Sequence, residues 1–138
     1  MFAGHPDGTG WFTSQLVTSL RQIAEGLQAL DAGQGEFETE NYSEAAAEFG
    51  TARERLSTAT ETLRQADGEV PPEYQSDITE FICQGETLTD AVGHLETAAK
   101  LYEQGEVQQG QQEGRAAQQR LDEIDRCGSG ATTSLRIP

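Results

Sequence analysis

Few side chains in this sequence can crosslink, bind a metal or act as nucleophiles: it has two cysteines and two histidines. Cys83 lies as far before Gly105 as Cys127 lies after it. In an antiparallel hairpin turning at Gly105, equal distances bring the two residues to the same height. That spacing favours a disulfide tying the open end of the hairpin, worth about 4 kcal/mol in the chain-entropy account. One feature opposes it. Cys83 falls between Phe81 and Gly85 on the helix, which points it away from the apolar seam. The bridge then depends on Cys127 leaving its helix near Gly128, because disulfide geometry is strict about such vectors. The alternative is a pair of free thiols. A bridge implies an extracytoplasmic home.

Glu86, Asp90 and His94 stand four apart and share one helix face. Such a set fits either a shared divalent ion or a solvated polar face. The second is expected, since nothing supplies the rest of a metal shell. His5 lies near the start of the chain. Glu-x-x-His, Cys-x-x-Cys, Gly-x-x-x-x-Gly-Lys and Gly-x-Ser-x-Gly are all absent from the sequence. No acid–base or nucleophile constellation can be assembled. The sequence therefore assigns no catalytic residue, no cofactor and no metal ligand, and the expected role is non-catalytic.

The surroundings of these residues are acidic. The 138 residues carry 24 Asp+Glu against 9 Lys+Arg, a formal charge of −15, and Lys100 is the single lysine. A phosphate backbone needs a basic footprint, so nucleic acid is excluded as a partner. Anionic lipid is excluded for the same reason. No stretch approaches the roughly 18 consecutive apolar residues of a membrane-spanning helix, so no membrane insertion is expected. Excess carboxylates, one lysine and many small residues together resemble proteins of halophilic archaea. A carboxylate field repels itself in dilute buffer and is screened in concentrated salt.

The apolar residues are sparse but regular. Leu16, Leu20, Ile23, Leu27, Leu30 and Phe37 form one stripe. Tyr42, Ala45, Phe49, Ala52, Leu56, Ala59 and Leu63 form a second. Ile78, Phe81, Gly85, Leu88, Val92, Leu95, Ala99 and Tyr102 form a third, and Val107, Gly110, Gly114, Ala117, Leu121 and Ile124 a fourth. Each has a mean period of about 3.5, the spacing of a helix-packing seam. No segment alternates like a strand. Asn41 with Glu44 has capping-box spacing. Asp67-Gly68 stops the second helix, Pro71-Pro72 cannot extend it, and Asp77 and Glu80 offer a further start for the third. Short connections force neighbouring helices to run antiparallel.

The sequence repeats at an offset of 65 without gaps. Leu16 maps to Phe81, Ile23 to Leu88, Leu27 to Val92, Leu30 to Leu95 and Phe37 to Tyr102. Glu48, Ala52, Arg55 and Leu56 map to identical residues at Glu113, Ala117, Arg120 and Leu121. Shared heptads explain the apolar matches but not the equal placement of the connections, which favours duplication of one α-hairpin.

Gly33, followed by Tyr42, Ala45, Phe49 and Ala52, resembles a tetratricopeptide repeat, whose second helix carries Tyr-x-x-Ala-x-x-x-Phe-x-x-Ala. Ala29, Ala32, Glu36 and Ser57 stand where the family has Trp, Leu, Tyr and Pro, and the unit is longer than the family's roughly 34 residues. The resemblance implies protein or peptide binding on a helical scaffold.

The expected fold is all-α: an antiparallel four-helix bundle from two duplicated α-hairpins, tetratricopeptide-like. Residues 1–11 read as an irregular leader without the basic and apolar regions of an intact signal peptide. Residues 12–127 form one domain, with hairpins at about 12–66 and 72–127 around a linker at 67–71, and residues 128–138 a flexible tail. Gly85, Gly110 and Gly114 on the stripes either admit a close neighbour or leave a ligand cavity. The glutamine-rich stretch provides a neutral contact face in Gln108, Gln109 and Gln112. Trp11 either caps the bundle or meets a partner. The expected function is a protein-interaction or structural module adapted to high salt, with an unknown protein as partner. The alternative is a small-ligand or metal carrier using an interhelical pocket.

Overall fold

The computed structural model describes residues 9–127, with side chains from residue 14 onward. The tail at 128–138, most of the leader and the side chain of Trp11 lie outside the described residues. The chain runs α1 (Thr9–Glu38), α2 (Tyr42–Asp67), a short 3-10 turn (Pro72–Tyr74), α3 (Gln75–Glu103), α4 (Val107–Asp122) and a second 3-10 turn (Glu123–Cys127). It is an all-α, antiparallel four-helix bundle. α1 begins at Thr9, inside the stretch read from sequence as leader. α4 stops before Ile124, so the end of the fourth stripe lies in the 3-10 turn.

Each hairpin turns in the same way. In the first, the Asn41 amide donates to the Glu36 carbonyl (2.8 Å) and the Glu40 amide to the Phe37 carbonyl (3.0 Å). In the second, the Glu106 amide donates to Leu101 (2.8 Å) and the Gly105 amide to Tyr102 (3.0 Å). These are the paired bonds of a Schellman ending, which consume carbonyls the helix would otherwise leave unmet. Asn41 does not form the capping box its spacing suggested, and its side chain makes no cap bond. Its Nδ2 instead donates back to Glu36 Oε1 (2.9 Å) and Thr39 Oγ1 (3.0 Å). The reversed chain brings the end of α1 within reach of the Asn41 amide group, which bonds there.

α2 is the central element, packing on α1 and α3, while α3 also holds α4. The second stripe is its buried face: Ala45, Phe49, Ala52, Leu56 and Val92 of α3 make one core. Leu63, Ala66 and Ile78 make a second at the far end. Burying a side chain such as Phe49 or Leu56 contributes about 1.5–3 kcal/mol.

α1 departs from expectation. Leu20 and Leu27, counted in its seam, are 51% and 43% exposed. Ile23, Leu30 and Phe37 of the stripe do pack on the core, and Leu16 on the second one, but the buried residues of α1 are small: Ser19, Gly26, Ala29 and Gly33. A Cβ on Gly26 would stand 2.9 Å from Leu56 Cγ, and one on Gly33 would stand 2.7 Å from the Phe49 ring. The bulk of α2 occupies the room these glycines leave.

α1 and α4 share no substantial interface. Among the described residues the fourth side of the bundle is therefore open, and this shapes the candidate site.

Candidate functional site

The open side is a groove of about 700 Å³. α1 contributes Gln34, Phe37 and Glu38 to it, and α3 contributes Leu95, Ala98 and Tyr102. α4 contributes Gly110, Gln111, Gly114, Arg115 and Gln118, and Phe49 reaches in from α2. Aromatic and aliphatic groups thus lie among amides, one carboxylate and one guanidinium.

Rings close the turn end. Phe37 meets Tyr42 and Tyr102 edge-on, with centroids 5.1 and 4.9 Å apart, and Tyr42 lies 5.2 Å from Tyr102. Such pairs add about 0.5–1.5 kcal/mol beyond area burial. Desolvation among the rings, together with the charge of Glu40, pushes the Tyr42 phenol above its ordinary value.

The three stripe glycines divide between close approach and open space. A Cβ on Gly85 would fall 2.2 Å from Thr60 Oγ1, and one on Gly110 would fall 2.4 Å from the Tyr102 ring. A Cβ on Gly114 would meet nothing within 4 Å. Gly114 occupies the place that Phe49 fills in the first hairpin, and this loss of bulk opens the groove floor.

Cys83 and Cys127 are joined, with Cα atoms 5.4 Å apart. The 3-10 turn of Glu123–Cys127 carries Cys127 off the line of α4, which meets the geometric condition read from sequence. Thr87 Oγ1 lies 3.8 Å from Cys127 Sγ.

The polar face of α3 is committed to ion pairs. Glu86 is held by Arg64 of α2. Asp90 accepts from Arg120 Nε at 2.7 Å, and Arg120 also pairs with Glu123. His94 Nδ1 is 2.7 Å from Glu113 Oε1. Among the described residues, no group of three or more His, Cys, Asp or Glu is placed to hold a metal ion. The Asp90–Arg120 pair also has a counterpart one repeat earlier, Glu25–Arg55 at 3.4 Å. Across α2 and α3, Arg53 Nε donates to Glu96 at 2.8 Å, and Lys100 lies 3.3 Å from the same carboxylate. Burial pushes the Glu96 carboxyl up, but the bonds from Arg53 and Lys100 outweigh it and hold the group below its usual range.

Gln108, Gln109 and Gln112 are exposed on α4, as a contact face requires, but none of them lines the groove. Its glutamines are Gln34 of α1 and, on α4, Gln111 and Gln118, with Arg115 between these two. The repeat held the missing signal, since Arg115 stands at the place of Gly50 and Gly114 at the place of Phe49.

No helix of the described residues is long and apolar enough to cross a membrane. No family model matches this sequence, and neither a curated protein nor a solved structure is detectably similar to it.

Proposed function

We propose that this chain is a non-catalytic protein-interaction or structural module adapted to high salt. The observation that carries the reading is the groove, with its apolar floor and a rim of amides, one carboxylate and one guanidinium; the exposed leucines of α1 are a second apolar surface. Apolar surface bordered by polar groups is what partner docking uses. The charge of −15 supplies the salt argument, because such a surface needs screening. The disulfide supports an extracytoplasmic setting.

The second reading, a small-ligand carrier, rests on the groove's volume of about 700 Å³. That lies within the usual range for ligand pockets, about 300–1,000 Å³.

A photo-crosslinking residue at Gln111 separates the two. In the native host at high salt, an interaction module yields an adduct with one defined protein, which rebinds when purified. A carrier yields no protein adduct, and a small ligand or metal raises its melting temperature.

A further inference from the structure

We infer that the groove is the seat for α1 of a second copy of this chain, giving head-to-tail assembly. This rests on the interaction reading and names the partner.

The chain already contains the joint. Moved back by one repeat, the groove residues Leu95, Ala98, Tyr102, Gly110, Gly114 and Arg115 become Leu30, Gly33, Phe37, Ala45, Phe49 and Gly50. On the first hairpin the α2 part of this surface lies on the helix that packs against α3, with Ala45 and Phe49 fully buried, and Phe37 meets Tyr102 of α3. Among the described residues no helix lies on the second hairpin in this way, and Gly114 leaves the surface without the ring that Phe49 supplies in the first. The helix that would lie there is the counterpart of α3, which is α1. Its matching face is bare as well. Leu20 and Leu27 correspond to Gly85 and Val92, which α3 buries, yet they are 51% and 43% exposed.

The charges agree with this register. A Cβ on Gly50 would stand 3.0 Å from Glu96 Oε2. In the intermolecular joint, Arg115 takes the place of Gly50 and Asp31 that of Glu96, which sets a cation against an anion. At the other end, Glu86 shares a crevice with Ser57 and Thr60. There Arg21 takes the place of Glu86 and Asp122 that of Ser57. Arg21 and Arg115 form no ion pair among the described residues of one chain. Two unused cations on a strongly acidic molecule each gain an acid across the same joint.

A joint between two different faces is not a two-fold one, so it gives a ring or an open series rather than an isologous dimer. Copies of like charge repel, so association strengthens with salt.

The test is sedimentation of the full, oxidised chain at several concentrations in dilute and concentrated NaCl. Masses above the monomer that grow with concentration and salt are expected. Leu27→Asp and Arg115→Glu sit on opposite faces and are each expected to abolish them, with circular dichroism confirming the fold. Mixing the two variants is expected to restore a dimer and nothing larger, since each keeps one intact face. A monomer under every condition overturns the self-assembly, while a Gln111 adduct with a different protein would leave the interaction reading standing. Assembly lost in Leu27→Asp but unchanged in Arg115→Glu also overturns it, pointing to α1 pairing with α1.

Discussion

Glu40 and Gly105 hold the same place in the two hairpins. Each is the left-handed residue that ends a helix, with φ of 65° and 83°, and each amide donates back to an aromatic residue's carbonyl. Glycine adopts this conformation without strain, whereas glutamate carries a Cβ that crowds the carbonyl, at roughly 1–2 kcal/mol. Glu40→Gly is therefore expected to stabilise the protein, by about 0.5–1 kcal/mol after the added freedom of the unfolded chain is subtracted. Gly105→Ala is expected to destabilise it by about 1 kcal/mol. Denaturant unfolding of the two variants checks both signs, and a loss of stability in Glu40→Gly would refute the account of the turn.

The disulfide ties α3 to the end of α4 across a separation of 44 residues. In the unfolded chain it closes a long loop, and the expected contribution is about 4 kcal/mol in the chain-entropy account. Cys83→Ser with Cys127→Ser is expected to lower the melting temperature by well over 10 °C, given roughly 4–8 °C per kcal/mol for a small domain. Alkylation without reductant, followed by intact mass, reads the bridge itself. Two labelled thiols in the native protein would contradict it.

These relationships differ in how plainly the sequence announces them. Helices, hairpins and the equal heights of Cys83 and Cys127 follow from spacing, which depends only on the chain's own geometry. The face of α1 does not. Periodicity shows that Leu20 and Leu27 lie along one side with Leu16, but not that Leu16 meets the core while the other two stay exposed. The contact with α2 is decided by size, because Leu56 and Phe49 need the space over Gly26 and Gly33. Asn41 fails for a related reason: capping-box spacing cannot report that the chain reverses and offers Glu36 as a partner. The groove was partly legible, because Gly114 replaces Phe49 across the repeat. Reading it further required the packing of α1, α3 and α4 around that position.

Glu96 links α2 and α3 through Arg53 and Lys100, and its carboxyl is held below the usual range. A depressed carboxyl contributes stability above its unfolded pKa and loses it as pH falls through the folded pKa. Part of the acid unfolding limb, below about pH 4.3, therefore belongs to this group. Glu96→Gln is expected to cost about 1 kcal/mol at neutral pH, as suits a partly exposed pair. The difference from wild type is expected to vanish in acid. A difference that persists at low pH would assign the loss to packing instead.

The 24 acidic residues repel one another over roughly 10 Å at 0.1 M salt and only about 3 Å at 1 M. The expected outcome is a melting temperature that climbs with NaCl, and lower helicity by circular dichroism in dilute buffer. Full helicity and constant melting across the titration would refute adaptation to high salt. Repeating the titration with sodium sulfate separates screening from preferential exclusion, which strengthens burial independently of charge.

Gly85 and Gly114 give the sharpest contrast between two glycines inside helices. A methyl at Gly85 would meet Thr60 Oγ1 at 2.2 Å, and that hydroxyl is held by its bond to the Leu56 carbonyl at 2.8 Å. Relieving the clash means breaking the bond or separating α2 from α3, and overpacking of this kind costs about 1–3 kcal/mol. Against this stands a helix-propensity gain of about 1 kcal/mol. Gly85→Ala is therefore expected to destabilise by about 1–2 kcal/mol. At Gly114 nothing lies within 4 Å, so the propensity gain is unopposed and Gly114→Ala is expected to stabilise by about 1 kcal/mol. Thr60→Ala removes the obstructing oxygen and is expected to recover part of the Gly85→Ala loss, making the pair strongly non-additive. Equal effects at the two glycines would mean that the close approach of Thr60 does not govern the α2–α3 contact.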